Sequence, residues 1–159
     1  MNSQLEPALK WIVDILRKHK VPFQIAGGFA VHLYGGTRPI NDIDIDIPDK
    51  KFPNIIPDIK KYIKFGPAQY KDEVWDLNLI TLDYHGQEID ICGAHGAKIY
   101  NRTTKKLQPY PCQFETASLI SAYGITVPVM DAHDLLAYKR LRNNENQQED
   151  IVAMEKYIA

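Results

Sequence analysis

The stretch from Asn41 to Ile47 constrains the fold more than any other part of this 159-residue chain. Acidic and aliphatic side chains alternate strictly there, with Asp42, Asp44 and Asp46 facing one way and Ile43, Ile45 and Ile47 the other. A period of two is typical of a β-strand, because successive side chains point to opposite faces of the sheet. The sequence therefore predicts a sheet with a buried isoleucine face and an acidic face.

The acidic face of this strand needs an explanation. Aspartate is disfavoured in strands, and like charges on one face repel each other. One interpretation is an exposed edge strand whose charges resist aggregation. The other is a site for a hard divalent cation such as Mg²⁺, which takes oxygen ligands and shares its remaining positions with substrate phosphates. We favour the metal site, because Asp42 and Asp44 are two residues apart and point the same way.

A glycine pair precedes the acidic strand. Phe23–Ala26 predicts a short buried strand, Gly27-Gly28 ends it, and Phe29–Tyr34 has room for a short helix. Glycines let backbone N–H groups approach an anion closely, and a helix N-terminus adds partial positive charge. By itself a glycine pair at a strand end is most often only a turn. Next to the aspartates, it predicts a phosphate-binding turn.

The remaining pattern indicates the fold class. Hydrophobic periodicity predicts helices at 7–20, 55–63 and 131–142, a polar loop at 143–148 with a last helix after it, and strands at 79–84, 88–92 and 125–129. Alternating strands and helices predict an α/β (α+β) fold with a small mixed β-sheet flanked by helices. The length suits a single domain over residues 1–159, with C-terminal helices from about residue 131.

Charge and hydropathy exclude several classes of protein. The formal net charge is -1, whereas domains that hold nucleic acid by bulk charge are usually strongly basic. No apolar run is long enough to cross a bilayer, and the N-terminus lacks the pattern of a signal peptide. We therefore expect a cytoplasmic protein without membrane or bulk nucleic-acid partners.

The segment from Ala26 to Ile47 resembles the signature of the DNA polymerase β-like nucleotidyltransferase superfamily, a Gly-Gly or Gly-Ser turn followed by an Asp-hydrophobic-Asp strand. Two details are similar to the small lincosamide and aminoglycoside adenylyltransferases and to the minimal toxin–antitoxin nucleotidyltransferases: the Gly27-Gly28-Phe29-Ala30 start and Gly36-x-Arg38. The resemblance implies the nucleotidyltransferase fold. It also implies metal-dependent transfer of a nucleoside monophosphate to a hydroxyl, with release of pyrophosphate. The favoured donor is ATP, which would supply AMP.

The resemblance implies roles for particular residues. Asp42, Asp44 and Asp90 would be catalytic and would ligate Mg²⁺, with two ions once the nucleotide is bound. Asp90 would serve as a metal ligand or as the general base for the acceptor hydroxyl. Nucleotide contacts are implied for Gly27, Gly28, Arg38 and Lys139.

Four further residues are weaker candidates for the site. Glu88 shares a strand face with Asp90 and is the alternative for its role. His95 follows the carboxylate strand between two glycines, and Arg142 lies on the same predicted helix as Lys139. Trp75 lies in a polar run, where its ring could stack on an acceptor or a base.

The acceptor is not determined by these motifs. We favour the hydroxyl of a small molecule or a protein as the acceptor. The sequence does not determine the oligomeric state, and a homodimer is one alternative. A toxin–antitoxin enzyme acting on a protein or tRNA is one alternative, and a non-catalytic nucleotide-binding module is another. The tRNA end-adding enzymes share a similar Gly-Gly to Asp-x-Asp segment, but 159 near-neutral residues leave no room for their helical body.

Overall fold

The computed structural model describes residues 4–159. Five α-helices are present in this part of the chain: α1 Leu5–Lys18, α2 Gly27–Leu33, α3 Phe52–Ile59, α4 Ala132–Arg142 and α5 Glu145–Ile158. Nine strands accompany them: β1 Gln24–Ala26, β2 Asp42–Ile47, β3 Ile63–Lys71, β4 Trp75–Tyr84, β5 Gln87–Gly93, β6 Lys98–Asn101, β7 Lys106–Pro109, β8 Ser118–Ala122 and β9 Ile125–Val129.

All nine strands join one sheet in the order β7-β6-β4-β5-β2-β1-β9-β8, with β3 paired to the free side of β4. Strand pairs β2–β5 and β1–β9 are parallel, and the other pairs are antiparallel. The prediction of a mixed sheet flanked by helices is therefore confirmed. The sheet is larger than expected, because four of its strands carry no clear alternating pattern.

The isoleucine face of β2 lies in the core. Ile43, Ile45 and Ile47 are each 0% exposed. Helix α1 packs against β5 and α3 on this side, with its own buried stripe at helical spacing. Burial stabilises each such isoleucine by about 2 kcal/mol, so this face holds the strand in place. The opposite face of β2 carries the aspartates.

Several boundaries differ from the sequence prediction. Helix α1 begins at Leu5 rather than near Pro7 and ends at Lys18. The stretch 143–148 is not a loop, because α5 already begins at Glu145. Its first turns have no apolar stripe in the sequence, but Gln147 and Asp150 are buried there against polar partners. The capping prediction is confirmed, since the Asp131 carboxylate accepts hydrogen bonds from two backbone N–H groups of α4.

The sequence pattern does not predict strands β3, β6, β7 and β8. Most of β3 is exposed, and the strand exists because it pairs with β4, which no local pattern reveals. Among residues 4–159, no helix has the length and apolar character that a membrane span requires.

Candidate active site

Strand register aligns four residues in one row across the middle of the sheet. Ala26 of β1 lies opposite Asp44 of β2, Asp44 lies beside Asp90 of β5, and Asp90 lies opposite Thr81 of β4. Side chains in such a row share a face, and neighbouring strands are about 4.8 Å apart. Asp44 and Asp90 therefore become neighbours although they are far apart in the chain.

Three carboxylates form a cluster on this face. Asp42, Asp44 and Asp90 each offer an oxygen that lies within 4.8 Å of the oxygens of the other two. The structure thus brings together the residues that the sequence and the resemblance proposed as metal ligands. Their roles stay predictions, but their geometry suits a shared cation.

The electrostatics of the cluster also suit a cation. Burial, together with the charges of Asp42 and Asp90, raises the pKa of Asp44 well above its ordinary value. Burial is also the main cause that raises the pKa of Asp90 to about 6, while a 2.7 Å hydrogen bond from the Thr81 hydroxyl acts in the opposite direction. Partly buried carboxylates that repel each other are an all-oxygen donor set for a hard ion such as Mg²⁺. The residues therefore fit the metal that the resemblance implies.

The glycine pair lies next to this cluster for a steric reason. Gly27 has φ +64°, and a Cβ added there would overlap the carboxylate of Asp44. A Cβ added at Gly28 would overlap the guanidinium of Arg38. Gly27 thus requires glycine for its backbone conformation and its packing, whereas a larger residue at position 28 would displace the Arg38 side chain. Contacts between the N–H groups of this pair and phosphate stay a prediction.

The carboxylates occupy one end of a cleft of about 430 Å³. The cleft forms where β4 leaves β5: β4 pairs with β5 over residues 79–84 but with β6 at Trp75 and Asp76. Beyond the point of separation, the cleft is lined by Trp75, Leu77, Ala97, Tyr110 and Tyr138. One end is therefore acidic and the other is aromatic and apolar.

Two residues of the aromatic end had no signal in the sequence. Tyr110 lies between two prolines in a stretch without periodicity, and Tyr138 looks like an ordinary core residue of a helix. Trp75, a weak candidate from the sequence, does line the cleft. These three residues meet only because β4, α4 and the segment after β7 converge there.

Of the weaker candidates, Glu88 and Arg142 line the cleft and His95 does not. Glu88 lines the acidic end beside Asp42, its neighbour in the strand register. Arg142 lines the aromatic end, and its buried Nε has no hydrogen-bond partner among residues 4–159. His95 is exposed and packs against Phe114, and it is not among the residues that line the cleft.

Arg38 and Lys139 are bound to a residue that the sequence did not single out. Arg38 makes two hydrogen bonds, of 2.9 and 2.8 Å, to the carboxylate of Asp150 on α5. The Lys139 ammonium lies 2.9 Å from the same carboxylate and donates to Gln147. Neither cation is among the residues that line the cleft. A nucleotide contact stays a prediction for both, and a nucleotide would have to compete with Asp150.

Asp150→Asn should make the free energy of unfolding less dependent on pH between pH 7 and pH 3. Burial alone would raise the pKa of Asp150, but hydrogen bonds from Arg38 and the charge of Lys139 outweigh burial and lower it. The stability from this carboxylate is present above the unfolded-state pKa, about 3.9, and is lost as pH falls through the lower folded-state pKa. We expect the variant to lose about 3 kcal/mol at pH 7 and the gap to wild type to shrink by pH 3.

Urea unfolding at both pH values measures this gap. Glu155→Gln is the matched control, because the Arg140–Glu155 ion pair joins the same two helices at the surface. Removing it should cost less than about 1 kcal/mol. An equal gap between Asp150→Asn and wild type at pH 7 and pH 3 would contradict the charged role of Asp150.

Comparison with known proteins supports the architecture. The chain matches no protein-family profile and no curated protein sequence. A candidate nucleotidyltransferase from Thermotoga maritima matches with TM-score 0.73 and 17% identity, over 99% of this chain and 94% of that one. The lincosamide antibiotic adenylyltransferase LnuA, solved with lincomycin, matches with TM-score 0.61 and 17% identity, over 94% and 95%.

A third solved structure extends the comparison. ANT(2'')-Ia in complex with adenylyl-2''-tobramycin matches with TM-score 0.66 and 13% identity, over 99% of this chain and 91% of that one. At such identities the similarity shows the fold alone. The chain therefore has the fold of the nucleotidyltransferases, and its structural neighbours come from the group that the Ala26–Ile47 segment resembles.

Proposed function

We propose that the protein is a metal-dependent nucleotidyltransferase that moves a nucleoside monophosphate to a hydroxyl of a small molecule and releases pyrophosphate. ATP is the favoured donor and would supply AMP. The observation that carries this proposal is the cluster of Asp42, Asp44 and Asp90, within 4.8 Å of each other beside a glycine turn. Carboxylates packed so closely repel each other unless a cation or a proton is present. The nucleotidyltransferase fold supports the same chemistry.

Asp42 and Asp44 would be the main ligands of Mg²⁺ and Asp90 a further ligand, with two ions expected once nucleotide is bound. When bound, the metal would offset the charge of the phosphates and the charge that moves to the leaving group. The backbone N–H groups of Gly27 and Gly28 would donate to phosphate oxygens from the turn beside Asp44.

Asp90 is proposed as the general base. The acceptor oxygen forms a bond to the α-phosphorus, the bond to the bridging oxygen breaks, and pyrophosphate leaves with the electron pair. The hydroxyl proton goes to the Asp90 carboxylate, one oxygen of which accepts the hydrogen bond from Thr81. A carboxylate held at this position can accept the hydroxyl proton, as general-base catalysis requires. Glu88 is the alternative base.

A small-molecule acceptor is favoured by the size of the cleft. Its volume of about 430 Å³ is within the usual range of small-ligand pockets. Two structural neighbours were solved with small molecules, one with lincomycin and one with adenylyl-2''-tobramycin.

Binding of a non-hydrolysable ATP analogue should require Mg²⁺. Asp44→Asn should weaken this binding at least about tenfold, because it removes a proposed metal ligand. Isothermal titration calorimetry measures both effects without knowledge of the acceptor. Asp14→Asn, at an exposed position on α1, is the control and should bind as wild type does. Equal affinity of the wild-type protein in Mg²⁺ and in excess chelator would contradict the proposed function.

A further inference from the structure

We propose that the aromatic end of the cleft is the acceptor subsite, and that it takes a ring-bearing alcohol without negative charge. This inference rests on the proposed function and adds the chemical class of the acceptor. It is carried by the position of the aromatic end, the contacts among its rings, an unpartnered hydroxyl at the cleft and the charge of the lining.

One side of the aromatic end lies next to the proposed base. The cross-strand row runs from Ala26, next to the glycine turn, through Asp44 and Asp90 to Thr81. The proposed phosphate turn is thus at one end of the row, and the partner of the proposed base is at the other. Because the aromatic end continues from Thr81 along β4, its Trp75 side adjoins the proposed base, while its Tyr110 side packs over Asp46 of β2.

Alternate residues of β4 connect the two ends. Thr81, Leu79, Leu77 and Trp75 all line the cleft, as expected of positions that are two apart on a strand. A molecule whose hydroxyl lies at Asp90 would therefore extend over two leucines toward the indole of Trp75. This surface is apolar and suits a carbon skeleton.

Three rings form one continuous wall. The ring centroids of Trp75 and Tyr110 are 5.6 Å apart, those of Trp75 and Tyr138 are 5.8 Å apart, and those of Tyr110 and Tyr138 are 5.5 Å apart. Such distances are typical of favourable aromatic contacts. Trp75 is the most exposed of the three and presents a ring to the cleft.

A buried carboxylate holds the wall rigid. The Tyr110 hydroxyl donates a 2.8 Å hydrogen bond to Asp46, and the Gln24 amide donates to the same carboxylate oxygen at 3.0 Å. Asp46 is 2% exposed, so these bonds are not shared with bulk solvent. The wall is therefore preorganised, which lowers the entropic cost of binding a ring against it.

Tyr138 supplies a polar group that lacks a partner. The residue is 4% exposed and lines the cleft, and its hydroxyl makes no hydrogen bond to another group of residues 4–159. The hydroxyl oxygen is not fully buried, so a molecule in the cleft can reach it. A hydroxyl or amine of the acceptor would satisfy it.

The summed charge of the lining disfavours an anionic acceptor. Arg142 is the single basic residue among those that line the cleft, against six acidic ones: Asp42, Asp44, Asp46, Asp72, Glu88 and Asp90. The negative phosphates of the nucleotide would neutralise the positive charge of bound Mg²⁺. A negative charge on the acceptor would therefore be repelled.

A charge series on one ring tests the proposal. Tyramine, tyrosol and 4-hydroxyphenylacetate carry a cationic, a neutral and an anionic tail on the same phenol. Their binding is measured by ligand-observed NMR on protein saturated with Mg²⁺ and the ATP analogue. We expect tyramine and tyrosol to bind with dissociation constants of roughly millimolar size. The anionic compound should bind roughly fivefold more weakly or worse.

Two variants locate the binding. Trp75→Leu keeps an apolar side chain but removes the stacking surface, and Tyr138→Phe removes only the unpartnered hydroxyl. Each should weaken tyrosol binding about threefold or more while the affinity for Mg²⁺ and the ATP analogue changes less than twofold. Tyr157→Phe, at an exposed position of α5, is the control and should change neither.

The possible outcomes separate this inference from the proposed function. Absence of probe binding to the nucleotide-loaded wild type, or equal binding of the anion, would overturn the acceptor subsite alone. A larger loss of nucleotide than of tyrosol in Trp75→Leu would assign the wall to the nucleobase instead. Failure of the wild type to bind nucleotide with Mg²⁺ would contradict the proposed function itself.

Discussion

Asp90→Asn is expected to slow pyrophosphate release by about 10²–10⁴-fold, while binding of Mg²⁺ and nucleotide falls only modestly. An amide cannot accept the proton of the acceptor hydroxyl, whereas Asp42 and Asp44 stay in place for the metal. The Thr81 hydroxyl can still donate to the amide oxygen, so the strand pairing should be kept. Pyrophosphate release with a ring-bearing alcohol as acceptor measures the rate, and calorimetry with the ATP analogue measures binding.

Glu88→Gln is the matched control for this prediction. Glu88 lies two residues before Asp90 on β5, on the same face, and also lines the cleft. Its partner on β2 is Asp42, whereas that of Asp90 is Asp44. We expect it to retain most of the turnover. Wild-type turnover in Asp90→Asn together with a large loss in Glu88→Gln would show that the two roles are exchanged.

Gly27→Ala is expected to abolish most of the metal-dependent nucleotide binding, with a loss of at least about tenfold. The added Cβ would overlap the Asp44 carboxylate, so the proposed metal ligand must move. The positive φ of +64° at Gly27 adds a strain of about 1–2 kcal/mol. Calorimetry with Mg²⁺ and the ATP analogue measures the affinity, and urea unfolding measures the strain.

Gly124→Ala separates the two effects. Gly124 also has a positive φ, +82°, but a Cβ there would meet no atom within 4 Å. Both variants should lose similar stability from backbone strain, and only Gly27→Ala should lose nucleotide affinity. If Gly124→Ala weakened nucleotide binding as much, the loss would reflect general destabilisation and not displacement of Asp44.

Local pattern was sufficient for the centre of the fold. The alternation over Asp42–Ile47 predicted β2 and its two faces, and the structure places the isoleucines at 0% exposure. The glycine pair predicted the end of β1, and Asp131 predicted the start of α4. These features depend on neighbours in the chain, because strand alternation, turn conformation and helix capping involve only a few consecutive residues.

Local pattern failed for elements that exist only through their partners. The exposed strand β3 depends on pairing with β4, and the start of α5 depends on Lys139, which contacts Gln147 and Asp150. Arg38 shows the same limit, since its motif suggested a nucleotide contact and its side chain is held by Asp150 on the last helix.

The sequence by itself therefore determined the acidic strand, the glycine turn beside it and the identity of the carboxylates that could hold a metal. Only the tertiary structure decided that Asp90 stands beside Asp44, and that Trp75, Tyr110 and Tyr138 form one wall at the other end of the cleft. The physical reason is that a period of two is a property of one strand. Register between strands, and the convergence of a strand, a loop and a helix, are chosen by packing between residues far apart in the chain.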